Sequence, residues 1–184
     1  MLPRIGLCAL FMAILSPVAA EAEPPLAQYA VGQVQNLAVH EQPKPVPEAR
    51  FRDGEGKEMD LGAFRGKVVL VNLWATWCAP CRHEMPSISR LHAARGGPDF
   101  TVAAISVDRG GVEKSRAFLE EVAADNLPLY IDKSTRIGKT LGAYGLPITI
   151  LLNREGEEVA RLVGPAEWDS PEALALVDAL IGDD

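Results

Sequence analysis

The sequence predicts an α/β domain, built on a mixed sheet with a parallel middle and flanked by helices. Three observations carry this. Val68–Trp74 and Phe100–Val107 are apolar almost throughout, as strands buried on both faces of a sheet are. Each is followed by a stretch that reads as a helix. Two further apolar runs, Ile148–Leu152 and Val159–Val163, flank Asn153-Arg154-Glu155-Gly156 and read as a hairpin at one edge of the sheet.

Taken in order, the chain opens with Arg4 as the only charge before an apolar run from Ile5 to Leu15. Small residues follow in Val18-Ala19-Ala20 and Ala20-Glu21-Ala22. This pattern marks residues 1–22 as a secretory signal peptide, with an uncleaved anchor as the alternative. Cys8 lies inside that run after Leu7, where a lipid-acceptor cysteine would follow a small residue, so it reads as apolar filler. Residues 23–47 are expected to be a proline-rich tether, from Pro24-Pro25 and Pro43, Pro45 and Pro47, with a short helix or packing arm within Leu26–Val39. The compact domain is expected over residues 48–184.

Within it, Arg50-Phe51-Arg52 and Met59-Asp60-Leu61 form an extra N-terminal β-hairpin turned at Asp53-Gly54. Val68–Trp74 is the first buried strand. A helix runs from Cys78 to about Ala94, stopped by Gly96-Gly97-Pro98. After the second buried strand comes a helix over Val112–Ala124, with Phe118, Leu119 and Val122 on one face. Leu129–Ile131 is a short strand, and Thr135–Tyr144 a third helix. Ser170 caps a last helix that begins at Pro171 and runs to about Ile181.

The chain's chemistry is concentrated in Trp77-Cys78-Ala79-Pro80-Cys81, at the strand-to-helix junction. A helix N-terminus offers unpaired N–H groups and partial positive charge, and both stabilise a thiolate. Cysteines three apart on a helix share a face and can close and reopen a disulfide. Half of a zinc site is the alternative. Structural zinc takes four Cys/His ligands, and there is no second cysteine pair; His40, His83 and His92 show no paired spacing. Without the leader, Cys78 and Cys81 are the only cysteines, so the pair serves chemistry rather than stapling. The formal net charge of −7, with no basic patch, points away from nucleic acid.

The stretch from Val71 to Pro86, with Trp74-Ala75-Thr76-Trp77-Cys78-Ala79-Pro80-Cys81-Arg82-His83-Glu84-Met85-Pro86 at its centre, resembles the thioredoxin superfamily. Within it the chain is similar to the TlpA-like exported thiol–disulfide proteins, over about Arg50 to Ile181, and Gly164-Pro165-Ala166-Glu167-Trp168 adds to the likeness. The resemblance implies a thioredoxin-like fold. It implies that Cys78 attacks, that Cys81 resolves, and that Pro147 is a cis-proline facing the dithiol, the alternative being an ordinary trans proline at a strand start. The Leu146 backbone would pair with an extended substrate. Trp77 matches the aromatic beside the nucleophile, and Ala79 and Pro80 tune the pair. Glu84 is either a proton shuttle or a solvated helix residue. Asn72 stands where cytoplasmic thioredoxins carry a buried aspartate, so that proton route is absent. Trp74 and Trp168 read as core, and His83 and His92 as surface.

The implied activity is that of a periplasmic thiol–disulfide reductant, soluble and monomeric or tethered by its N-terminus. Its dithiol is the only redox group, without a metal or other cofactor. A membrane thiol reductase would feed it. Its clients would be proteins with cysteine pairs, such as copper chaperones and the copper-binding subunit of cytochrome oxidase. A reductant in cytochrome c maturation is the alternative, weakened because Ile148 replaces the acidic residue usual after the cis-proline in that branch. A copper metallochaperone using Cys78 and Cys81 is a competitor from another class. So is a peroxidase, which needs a hydroxyl three before the nucleophile, where Ala75 stands with Thr76 one place late.

Overall fold

A computed structural model describes residues 26–182. The expected signal peptide, residues 1–22, lies outside the described residues. The strands are β1 (Ala38–Lys44), β2 (Arg50–Asp53), β3 (Glu58–Asp60), β4 (Val68–Trp74), β5 (Phe100–Ser106), β6 (Leu129–Ile131), β7 (Ile148–Leu152) and β8 (Glu158–Val163). The helices are α1 (Ala79–Arg95), α2 (Gly111–Glu121), α3 (Arg136–Thr140) and α4 (Pro171–Gly182). All eight strands form one sheet in the order β1-β8-β7-β4-β5-β6-β2-β3. β4, β5 and β6 are parallel, and every other pairing is antiparallel.

Every residue of β4 is buried, as its unbroken apolar run requires of a strand covered on both faces. Helix α1 presents Cys81, Met85, Ile88 and Leu91 to the core, a stripe at helical spacing. Burial of each aliphatic side chain contributes roughly 1.5–3 kcal/mol, so this stripe holds the dithiol-bearing helix to the sheet. The β7–β8 turn closes with Asn153 N–H donating to Glu157 O at 3.0 Å, while Gly156 takes φ +81°, which glycine adopts without strain. Ser170 Oγ caps α4 by accepting from Ala173 N–H at 3.3 Å, as its place before Pro171 predicts.

Three expectations need correction. The segment expected as tether is part of the fold. Val34 and Leu37 are buried, Gln33 N–H donates to Glu172 Oε1 of α4 at 3.0 Å, and Ala38 and Val39 pair with Arg161 and Ala160. Pro43 is tolerated because β1 is an edge strand, where one missing N–H costs little. Consequently the β7–β8 hairpin is not the sheet edge, since β1 covers β8. His40 Nε2 lies 2.7 Å from Glu158 Oε1, and Arg161 also binds that carboxylate, which pins β1 to β8. Burial pushes Glu158 up, but Arg161 and His40 outweigh it and hold the carboxyl below its usual value. The third helix is shorter than expected, at Arg136–Thr140.

Candidate active site

The dithiol sits where β4 ends and α1 begins. Cys78 and Cys81 form a disulfide with Cα atoms 5.3 Å apart. Cys78 is the N-cap of α1 rather than its first helical residue, and its Sγ accepts the Cys81 N–H at 3.2 Å. Pro80 falls on the first turn, where a missing N–H leaves nothing unpaired. Cys81 is fully buried, and Cys78 is 5% exposed in this oxidised form.

A groove of about 600 Å³ runs beside Cys78, lined by Trp77, Pro80, Val107, Tyr144 and Leu146 among others. Trp77 is 68% exposed and Tyr144 99% exposed, so two aromatics stand in water next to the reactive sulfur. Ala79 and Leu146 line the same groove. The Leu146–Pro147 peptide is cis, and Pro147 is buried at the start of β7. A second groove of about 570 Å³ shares Ala79 and Pro80 and is lined by His83, Glu84 and Glu167. A further cavity, about 930 Å³ and lined by Arg52, Asp132 and Arg136, does not reach the dithiol.

Glu84 is 1% exposed, one helical turn beyond Cys81. Its Oε1 accepts from Asn72 Nδ2 at 2.8 Å and its Oε2 from Ala166 N–H at 3.3 Å. Burial pushes the carboxyl up to about 7, against the lowering effect of those donors. The Trp168 indole N–H lowers it too, without closing a hydrogen bond of ordinary geometry. The solvated alternative for Glu84 is therefore excluded by its place in the core. Ser87 Oγ accepts Trp168 N–H at 3.0 Å and donates to Glu84 O at 2.7 Å, so the Gly164–Trp168 loop is fastened over α1. Trp74 is buried and stacks on Phe118 at 5.0 Å, and Trp168 is buried as expected. His83 is exposed and His92 half-buried.

The site therefore gathers Trp77, Cys78, Ala79, Pro80 and Leu146 around one groove and places Cys81 and Glu84 behind it. Sequence reasoning missed Tyr144, Val107 and the Ala166 N–H. Tyr144 stands three residues before Pro147, a position that carries no local signal.

This fold and site define a thioredoxin-like protein that exchanges thiols and disulfides. Residues 41–177 match the Redoxin family, and the chain belongs to it. The thiol-disulfide oxidoreductase ResA of Bacillus thuringiensis subsp. konkukian is 31% identical over 121 residues, covering 66% of this chain and 69% of that protein. ResA of Geobacillus thermodenitrificans is 31% identical over 111 residues, 60% of this chain and 63% of that protein. Among solved structures, a Chlorobium tepidum protein assigned as thiol:disulfide interchange protein DsbE superposes with a TM-score of 0.68 at 25% identity, covering 77% of this chain and 99% of its own. A secreted thiol-disulfide isomerase of Corynebacterium glutamicum gives 0.65 at 26% identity, covering 78% and 92%. The chain is a TlpA-like thiol–disulfide oxidoreductase of the thioredoxin superfamily.

Proposed function

We propose that this oxidoreductase works outside the cytoplasm, in the periplasm, as a reductant of cysteine pairs in client proteins. The leading clients are copper chaperones and the copper-binding subunit of cytochrome oxidase, reduced before metal loading. The observation that carries the exchange reading is the arrangement of the dithiol. Cys78 caps α1 beside the groove, and Cys81 is buried behind it, one turn from Glu84.

The cycle runs in two steps. The Cys78 thiolate attacks a client disulfide, forming a mixed disulfide and expelling one client thiolate. Cys81 then attacks the Cys78 sulfur, closing the Cys78–Cys81 disulfide and releasing the second client sulfur. Two electrons pass from the dithiol to the client, whose two thiolates take up protons from solvent. Glu84 takes the Cys81 proton as that thiol becomes the nucleophile. Trp77 and Pro80 form one wall of the client groove, and the Leu146 backbone pairs with the extended client beside Pro147. The Cys78–Cys81 pair is the whole redox group on this reading, with no metal or other cofactor. A membrane thiol reductase resets it. The apolar run before residue 22 supports export, with either cleavage or retention as an anchor. Among the described residues no helix is long and apolar enough to cross a membrane.

The test is the reduction potential of the Cys78–Cys81 pair in graded thiol buffers. A value near or below about −200 mV marks a reductant, and one near about −120 mV marks an oxidant and overturns the direction. The client assignment fails if the reduced protein leaves an oxidised copper-chaperone disulfide intact.

A further inference from the structure

Asp108 is buried next to Val107 of the client groove, and the exchange cycle makes no use of it. Its carboxylate gathers three donors from two parts of the fold. Thr76 Oγ1 donates to Oδ2. Gly110 N–H donates to Oδ1 at 2.7 Å. Lys114 Nζ lies 3.2 Å from Oδ2. Burial pushes the Asp108 carboxyl up, but Thr76, Gly110 and Lys114 outweigh it and keep it below its usual value.

Thr76 belongs to the short link from β4 to Cys78. That link makes a turn with Cys78 N–H donating to Ala75 O at 3.1 Å. Gly110 and Lys114 belong to the start of α2. Val107 N–H closes the other side by donating to Trp74 O at 2.8 Å. One carboxylate thus ties the link that precedes the dithiol to a neighbouring helix. The Thr76 hydroxyl, one place late for a peroxidase, gives its hydrogen to Asp108.

We propose that Asp108 is a positioning residue for the Cys78–Cys81 pair, holding the 75–78 link through Thr76 so that Cys78 caps α1 and Trp77 lines the groove. The inference rests on the thiol–disulfide exchange assigned above. A link held this way keeps the Cys81 N–H 3.2 Å from Cys78 Sγ, where it supports the thiolate once the pair is reduced. An aspartate is required because both oxygens must accept. An asparagine offers one acceptor and must release either Thr76 or Gly110.

The full-length protein carrying Thr76→Val, Thr76→Ser or Asp108→Asn tests this. The readouts are the exchange rate with a small aromatic disulfide and the pH midpoint of Cys78 alkylation. Thr76→Val should slow exchange roughly tenfold, the kinetic equivalent of one lost charge-assisted hydrogen bond, and raise the alkylation midpoint. Thr76→Ser should return both to within about twofold of the parent, because it restores the hydroxyl. If Thr76→Val fails to fold, Asp108→Asn takes its place and should slow exchange in the same direction. An unchanged rate and midpoint in the folded variant, even with a lowered thermal midpoint, overturns the proposal, as does a Thr76→Ser protein as slow as Thr76→Val. Cys78→Ser, measured alongside, should abolish exchange. Activity surviving in it would place the nucleophile elsewhere and overturn the exchange reading as well.

Discussion

Asn72 Nδ2 donates to Glu84 Oε1 at 2.8 Å and so joins the central strand to the helix that carries the dithiol. The same amide nitrogen reaches Thr149 Oγ1 of β7 at 3.0 Å. Asn72 is thus more than the loss of an aspartate. It supplies a donor, and one buried carboxyl can then reside beside Cys81 without a second carboxylate facing it.

The pH dependence of stability follows from that carboxyl. Glu84 has a folded value of about 7 against 4.5 for the free group. The unfolded chain therefore loses this proton first as pH rises. The stability linked to Glu84 is fully present below about pH 4.5 and is lost as pH climbs through about 7. Glu84→Gln cannot ionise and escapes the loss. Urea unfolding should show the variant gaining on the parent by roughly 2.5 kcal/mol between pH 5 and pH 8.5. A difference that does not vary with pH would remove Glu84 from this role.

Asn72→Asp places two carboxylates together in the core. Like charges in a dry site cannot both ionise, so one must retain a proton. The variant should lose about 3 kcal/mol or more at pH 8 and much less at pH 5, by urea unfolding at both values. Equal losses at the two values would mean that the amide serves packing alone.

Trp77→Ala and Tyr144→Ala remove side chains that stand in solvent beside Cys78. Each should leave stability within about 0.5 kcal/mol of the parent. Each should slow reduction of a disulfide-bonded peptide about fivefold, equivalent to about 1 kcal/mol of lost groove contact. A small aromatic disulfide, which does not span the groove, should react at the parental rate. Equal slowing of both substrates would deny the groove a part in client binding.

A chain starting at Pro45 tests whether β1 belongs to the fold. It lacks the buried Val34 and Leu37 and the His40 contact to Glu158, and it bares the β8 edge. Unpaired edges template association. The shortened protein should unfold at a lower urea midpoint and associate on sedimentation, whereas a tether would be removed without effect.

The order of strands and helices was legible because each rests on local patterns. β4 and β5 are continuous apolar runs, β7 and β8 flank a turn built on Gly156, and Ser170-Pro171 marks the start of α4. β1 was not legible. Its sequence, Ala38 to Lys44, mixes polar residues and Pro43 and shows no alternation, since an edge strand needs only one neighbour and little burial. Tyr144 gave no sign either, because exposure beside a catalytic sulfur leaves no periodicity.

By itself, the sequence determined the dithiol, its place at a strand-to-helix junction, the α/β order and the proline at residue 147. Each is a property of neighbours along the chain, where spacing and backbone preference act directly. Only the tertiary structure decided that Glu84 is buried against Asn72 and Ala166, that Asp108 holds Thr76, and that β1 closes over β8. These contacts join residues from 12 to 123 positions apart. The charge state of a carboxyl depends on the water and donors around it, and those are set by packing rather than by sequence neighbours.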